Sequence, residues 1–353
     1  MTGTLAIRPF DPHDARAAAH WDAFVQACPA ATFFHRAGWQ RALARVFGHP
    51  LHSLLAERSG ADGHTAIAGV LPLARVKSML FGDALVSLPF AVYGGVAATD
   101  EDAAAALETE AERVAQRLGV QHLELRQLAR RHEGWPRQEI YVAFRKPILP
   151  DEEANLLAIP RKQRAMVRKA MQRGLTDAFD DGVDRFFALY ADNVHRHGTP
   201  ALPVRWFQAL RDEFGDDCSV LTACAPDGRP VSSVLSFRFR DEILPYYAGD
   251  DLAARELAAN DYKYWALMRW ACAQGLKTFD YGRSKVGTGP YAFKKNWGFE
   301  PQPLHYEYRL YKRDAVPQNN PANAKYKLMI EAWRRLPLPV ANRLGPLVVR
   351  GLG

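Results

Sequence analysis

The stretch Ala273-Gln274-Gly275-Leu276-Lys277-Thr278-Phe279-Asp280 reads as a helix end, a glycine stop and a strand that closes on a carboxylate. Upstream, Arg117-Leu118-Gly119-Val120-Gln121-His122-Leu123-Glu124 repeats the device, ending on Glu124. Glycine adopts the left-handed conformation that ends a helix without a Cβ clash, so it marks both stops. The text before each copy is alike as well. Pro226-Asp227-Gly228 separates the apolar runs 219–223 and 231–239, and Ala61-Asp62-Gly63 separates 51–57 from 65–76. Asp-Gly between such runs signals a hairpin. A second hairpin at Arg240-Asp241-Glu242 leads into a strand over 243–247. Helices are expected over 101–118 and 261–274, the second with Asn260 as N-cap. Meandering strands followed by a helix and one more strand make a mixed sheet flanked by helices. The chain therefore reads as an α/β protein that carries this unit twice.

Two prolines in Lys146-Pro147-Ile148-Leu149-Pro150-Asp151 mark the boundary between the halves. Pro317-Gln318-Asn319-Asn320-Pro321 reads as a linker, and 324–353 as a helical tail. The expected domains are thus 1–150 and 151–313, followed by linker and tail over 314–353. A chain of 353 residues holds two ordinary cores. With 48% hydrophobic and 24% charged residues it is globular rather than disordered. No run approaches the ~18 apolar residues of a spanning helix. The N-terminus lacks the basic, apolar and small-residue order of a secretory signal, so a cytoplasmic location is expected.

Cys28, Cys218, Cys224 and Cys272 form no CxxC pair and are expected to be buried small hydrophobes. HExxH, GxSxG and the Rossmann fingerprint are missing, and His195-Arg196-His197 has no third ligand in sight, so no metal is expected. The net charge of +7 favours phosphate-bearing partners: a nucleotide-linked precursor, coenzyme A, tRNA or an anionic membrane surface. The same excess would also follow from a composition in which arginine outnumbers lysine.

The densest polar and aromatic text runs from Asp280 to Glu300, DYGRSKVGTGPYAFKKNWGFE. A basic, glycine-rich loop after a strand brings backbone N–H groups near phosphates or a developing oxyanion. Tyr281, Tyr291, Phe293, Trp297 and Phe299 would bury much of it, leaving Arg283, Lys285, Lys294 and Lys295 to find solvent or an anion. A lysine in partly apolar surroundings can stabilise a carbonyl oxygen as charge builds on it, or Lys294 and Lys295 are simply solvated. A second cluster, Arg161, Lys162, Arg164, Arg168 and Lys169, follows Pro160, which suits the first turn of a helix. No acidic residue at i+4 neutralises this face, so it is either a solvated surface or a phosphate contact. Third, 32–39 precedes a helix whose Leu43, Val46 and Phe47 belong to the core, with His35 either lining a pocket or structural.

Taken together, several of these segments resemble the FemAB-like aminoacyltransferases and their wider acetyltransferase relatives. The sharpest are Tyr246-Tyr247-Ala248-Gly249, Asn260-Asp261, Tyr264-Trp265 and Phe279-Asp280-Tyr281-Gly282-Arg283-Ser284-Lys285. Leu88-Pro89-Phe90 with Tyr93-Gly94-Gly95 agrees. The run from Gly287 to Pro301 is similar to the FemAB-like branch associated with exosortase and PEP-CTERM systems. The resemblance covers most of 1–313 and implies two tandem acetyltransferase-like (GNAT/Fem-type) domains with the chemistry in the second. It implies an acyltransferase in which an amine on a cell-wall or exopolysaccharide precursor attacks an activated acyl carbonyl, the donor being acyl-CoA or aminoacyl-tRNA.

By the same resemblance, Phe293-Lys294 matches the family's Phe-Lys, and Lys294 supports the carbonyl oxygen beside Asp280 and Tyr281. Arg164 and Lys162 are the expected phosphate contacts, and Arg283, Tyr291, Phe293, Tyr247, His35 and Trp39 the expected substrate contacts. The chain departs from the family in three places. After Trp39 only Arg41 stands where an acceptor-binding lysine is expected. No heptad run forms a long helical arm, and 248–254, with one glycine and two acids, makes a poor pyrophosphate cradle. The alternative is a non-catalytic polysaccharide- or tRNA-binding module that kept the fold. Residues 333–350 mix apolar and basic residues. They suit peripheral contact with the inner face of a membrane, or packing on the body.

Overall fold

The computed structural model describes residues 3–60, 63–79, 81–317 and 324–351. Its elements begin with β1 (Thr4–Pro9), α1 (Ala15–Ala27), α2 (Ala37–Phe47), β2 (Leu54–Ser59) and β3 (Thr65–Leu71). Then come β4 (Ala74–Ser78), β5 (Gly82–Val86), β6 (Ala97–Ala98), α3 (Glu101–Leu118), β7 (His122–Gln127) and β8 (Arg137–Gln138). The middle of the chain forms β9 (Tyr141–Pro147), α4 (Glu152–Ala158), α5 (Arg161–Gln172), β10 (Thr176–Asp180), α6 (Asp184–Arg196) and α7 (Val204–Phe214). It continues through β11 (Cys218–Cys224), β12 (Pro230–Phe239), β13 (Glu242–Asp250), α8 (Ala254–Leu257) and α9 (Ala259–Ala273). Last are β14 (Thr278–Lys285), α10 (Gly289–Asn296), β15 (Pro301–Pro303), β16 (His305–Leu310), α11 (Ala324–Arg335) and α12 (Leu338–Val349).

Two compact units form, each from separated segments. One takes Met1–Glu139, Leu304–Gln318 and Arg350–Gly353, the other Ile140–Pro303 and Asn319–Val349. In the first unit the strands run β1-β2-β3-β6 and β4-β5-β7-β16-β8. Its long helix α3 begins behind Asp100, whose carboxylate accepts the Ala103 N–H at 3.0 Å, and stops at Gly119 with φ 65°. Leu107, Ala111, Val114 and Ala115 form its buried stripe. The turn expected at Ala61-Asp62-Gly63 lies outside the described residues except for Gly63, as does most of the linker from Pro317 to Pro321.

The second unit is built on one seven-stranded sheet, β10-β11-β12-β13-β14-β9-β15. Helix α9 covers one face, its Trp265 and Leu267 sharing a core with Phe279 and Trp297, while α6 packs on β12 and β13. That approach needs Gly249, because a Cβ there would lie 2.3 Å from the Tyr190 backbone nitrogen. Both hairpins appear, with Gly228 at φ 83° and Arg240 at φ 55° turning the chain.

Several local expectations are corrected. Asn260 lies inside α9; the cap position belongs to Ala258, whose left-handed φ of 57° joins α8 directly to α9. Pro160 occupies the N-cap of α5 rather than its first turn. The strand read over 276–281 starts at Thr278 and continues to Lys285, because β9 pairs along its length. All four cysteines are free, but Cys272 is only half-buried. The helical tail forms as expected, as two helices separated around Pro337.

Candidate active site

Strands β13 and β14 run parallel, yet they pair only at Glu242 with Thr278 and Ile243 with Phe279. Beyond those residues each keeps its other neighbour. β13 stays paired with β12 out to Asp250, and β14 with β9 out to Lys285. The sheet therefore splits, and the facing edges of 244–250 and 280–285 have no ladder between them. Both edges are also bulged. Leu235 faces Tyr247 while Ser236 faces Pro245, which leaves Tyr246 as the extra residue on β13. Across the split, Asp280 pairs with Arg145 and Arg283 with Ala143, so Tyr281 and Gly282 form a bulge, with Gly282 at φ 62°. Bulges re-aim side chains and interrupt pairing, and they recur beside active sites.

The predicted site residues gather on two sides of this split. On the α9 and α10 side lies Lys294, buried near the end of α10. Its ammonium donates to the Tyr281 carbonyl at 2.6 Å and the Arg283 carbonyl at 3.1 Å, and reaches the Gly282 carbonyl at 3.5 Å. These acceptors are the bulge itself, so the lysine holds the distorted edge in shape. The rings of Phe144 and Tyr281 lie 5.6 Å from Nζ. Burial pushes this ammonium from the ordinary 10.5 down to about 7; the Asp280 carboxylate opposes the fall and Arg283 adds to it. Tyr281 packs among Tyr264, Phe279 and Phe299 at 4.7–5.0 Å between ring centres. Its hydroxyl is buried without a hydrogen-bond partner among the described residues, and burial pushes its pKa far up, so it stays a neutral phenol. Phe293 and Tyr291 are half-buried on α10, and Tyr291 meets Phe144 edge-on at 5.6 Å.

Asp280 points to the opposite face by strand alternation. Its carboxylate accepts the Gly282 N–H at 2.7 Å and lies 3.4 Å from Arg145 Nε. Arg145 also pairs with Glu242, so these charges meet where the strands part. Arg283 stacks over Tyr141 at 4.5 Å, and its charge acts on the Tyr247 hydroxyl. Tyr247 accepts a hydrogen bond from Trp206 Nε1 at 3.1 Å and packs with Phe207.

The basic helix α5 buries Gln163, Val167 and Ala170 and packs on α9. Lys162 is exposed, with no ion pair among the described residues, as are Arg161, Arg168 and Lys169. Arg164 is half-buried and donates to the Leu157 carbonyl at 2.8 Å. Gln163 donates to Asp261 at 2.9 Å, and Trp297 Nε1 donates to the same carboxylate oxygen at 2.9 Å. One buried acid thereby ties together α5, α9 and the end of α10.

His35 and Trp39 belong to the first unit. His35 Nδ1 accepts the Thr32 N–H at 3.0 Å, which assigns the proton to Nε2, 2.8 Å from the Gly95 carbonyl. Trp39 donates to the Pro89 carbonyl at 3.2 Å. The loop they hold contains Leu88 and Phe90 at φ 64° and 61°, and Arg126 clamps it by donating to the Leu88 and Ala91 carbonyls at 3.0 and 2.8 Å.

Three partners at the split escaped the sequence reading: Arg145, Glu242 and the buried Lys263, which pairs with Asp250 at 2.9 Å. Arg145 and Glu242 carry no local motif; only the pairing of distant strands unites them with Asp280. The adjacent acids Asp250 and Asp251 were the one signal for Lys263. Among the described residues, no group of three or more His, Cys, Asp or Glu side chains could hold a metal ion.

Known proteins share this frame. The family model for the acetyltransferase (GNAT) domain matches residues 161–295, which include α5, the split and Lys294. The UDP-N-acetylmuramoylpentapeptide-lysine N(6)-alanyltransferase of Weissella viridescens is 21% identical over 136 residues, 38% of this chain and 40% of that protein's length. The crystal structure of FemX superposes with a TM-score of 0.66 at 15% identity, covering 87% of this chain and 98% of its own. A tandem GNAT protein from the clavulanic acid biosynthesis pathway superposes at 0.54 and 12% identity, covering 86% and 97%. The chain thus has the tandem GNAT fold, with the matched domain in its second half and a helical C-terminal region.

Proposed function

We propose that this chain is an N-acyltransferase. It moves an acyl or aminoacyl group from an activated, phosphate-bearing donor to an amine on a cell-envelope precursor. The observation that carries the reading is the split between β13 and β14 with Lys294 behind its bulged edge. An unpaired strand edge accepts an extended, amide-bearing donor as a strand accepts a neighbour. The donor carbonyl would then sit between the edges, where backbone N–H groups and a nearby positive charge meet the oxygen as it becomes an oxyanion. The attacking amine forms the new C–N bond, the C–S or C–O bond to the leaving group breaks, and the amine proton passes to that group. Asp280 holds the bulge through the Gly282 N–H and belongs to positioning. Tyr281 and Phe293 wall the buried side, and Tyr247, Arg283 and Tyr291 meet the substrates. His35 and Trp39 shape the first unit's loop for the acceptor.

The exposed cations of α5, with Arg164, suit donor phosphates. Aminoacyl-tRNA and acyl-CoA both bring such phosphates. The alanyltransferase relative, whose name specifies a muramoylpentapeptide acceptor, supports a cell-wall precursor. The run 287–301 supports an exopolysaccharide precursor of the exosortase-associated branch. Reaction at the inner face of the membrane is consistent with either.

Single-turnover transfer, alongside thermal-shift titration with acetyl-CoA, longer acyl-CoAs and aminoacyl-tRNA, tests the proposal. A donor at 100 times its Kd adds about 2.7 kcal/mol of stability. Lys294→Ala should lower the transfer rate about 100-fold or more, the scale of a lost oxyanion contact. Undiminished transfer by that variant would remove Lys294 from the chemistry.

A second reading is a non-catalytic module for polysaccharide or tRNA. It is favoured by the engagement of the Lys294 ammonium with backbone carbonyls and by the acids at 250 and 251. Binding of tRNA or polysaccharide without turnover of any donor would select it.

A further inference from the structure

The second unit carries a surface that the transfer reaction does not use. Helix α12 lies against α6 and buries Ala341, Gly345 and Val349. Its seat is tight: a Cβ on Gly345 would stand 2.9 Å from the Ala201 carbonyl oxygen. Helix α11 sits on the end of α6 in the same way, since a Cβ on Gly198 would stand 2.4 Å from Ile330. With one stripe of α12 fixed inward, the stripe at i, i+4 and i+7 must face out. That stripe is Val340, Leu344 and Leu347, exposed at 43%, 41% and 74%.

From the last turn of α11 through α12 the charge has one sign. No acidic residue follows Glu331 in the chain. Arg343 flanks the apolar stripe on α12, and Arg334 and Arg335 close α11; all three are exposed. Arg335 and Arg343 have no carboxylate partner among the described residues. An apolar stripe bordered by unpaired arginines is the pattern of a helix lying in a bilayer interface. A second copy of the chain fits less well. Three side chains offer far less than the ~800 Å² per partner of a standard interface, and arginines facing their own copies would repel.

We infer that α11 and α12 form a docking surface for an anionic phospholipid bilayer, with Leu344 and Leu347 entering the acyl boundary and Arg335 and Arg343 facing the headgroups, while Arg334 donates to the His197 carbonyl of the body. No helix among the described residues is long and apolar enough to cross a membrane, so contact through this surface is peripheral. The docking stands on geometry and charge and does not depend on the transfer chemistry.

The full chain is sedimented with vesicles of phosphatidylcholine alone or with about 30% phosphatidylglycerol. Binding should require the anionic lipid and weaken as salt shortens the screening length to about 3 Å at 1 M. The double variant Leu344→Glu/Leu347→Glu, which changes only exposed positions, should lose at least about tenfold in vesicle affinity. Arg335→Glu/Arg343→Glu should lose a similar factor on anionic vesicles. No sedimentation of the wild type with anionic vesicles overturns the inference, as does equal sedimentation of wild type and leucine variant. A wild-type dimer that the leucine variant converts to monomer, without vesicle binding, would assign the face to self-association instead.

Discussion

At Lys294 two physical demands oppose each other. Burial takes the ammonium out of water and draws its pKa down to about 7, while the carbonyls of Tyr281 and Arg283 accept its protons at 2.6 and 3.1 Å and reward the charged form. The pH dependence follows from the first demand. An unfolded lysine keeps its proton up to about 10.5, so between about pH 7 and 10.5 the unfolded chain binds more protons than the folded one. Stability should therefore rise with pH across that window. Lys294→Met should flatten the rise, measured by urea unfolding at several pH values; an unchanged slope would show that the lysine stays charged in the fold. This residue was legible in the sequence because Phe293-Lys294 sits in an aromatic, glycine-rich run with a family resemblance. Its use of the Tyr281–Arg283 carbonyls was not legible, since backbone acceptors leave no mark on residue type. The same blindness hid Arg145, which Asp280 meets only through strand pairing.

Among elements, the packing of α6 on β13 shapes the outer side of the split, and it turns on one missing methyl. The Gly249 position is crossed by Tyr190 backbone atoms 2.3 and 2.4 Å from where a Cβ would stand, and backbone cannot swing aside as a side-chain tip does. Gly249→Ala should displace α6 and cost about 1–3 kcal/mol, the usual range for overpacking. Denaturant unfolding measures that loss. Because Tyr190 and Phe207 pack around Tyr247, the variant should also weaken substrate binding. A neutral effect on stability would mean that the helix has room to shift. At this scale the sequence was informative wherever local chemistry decides: α3 ends at Gly119, the hairpin turns at Gly228, and α5 carries its cations as expected. It misled at Asn260, because a good capping residue lost to the αL turn at Ala258 that follows α8. Propensity is a weak prior when tertiary packing sets the approach of the chain.

Across the whole molecule, the duplicated unit was visible in the two helix-glycine-strand copies, but strand order was not. β9 enters the second unit's sheet between β14 and β15, and β16 enters the first unit's between β7 and β8. Both pairings join segments far apart in sequence, so no local pattern announces them. The consequence for the first unit is specific. Tyr306, Glu307 and Tyr308 of β16 are buried. Glu307 accepts the N–H groups of Arg131 and His132 at 3.1 and 3.0 Å and the His132 ring nitrogen at 2.9 Å. A chain ending at Pro303 would leave β7 with a bare edge and those half-buried donors without their charged acceptor, each such hydrogen bond being worth about 1.5–3 kcal/mol. Against a total stability of roughly 5–15 kcal/mol, this should abolish cooperative unfolding of the first unit. A chain ending at Pro317 keeps β16 and should retain it. Hydrogen exchange at the β7 amides separates the outcomes. Protection should vanish in the shorter chain and persist in the longer one, and full protection in both would mean that β7 is held by β5 and α3 without its returning partner.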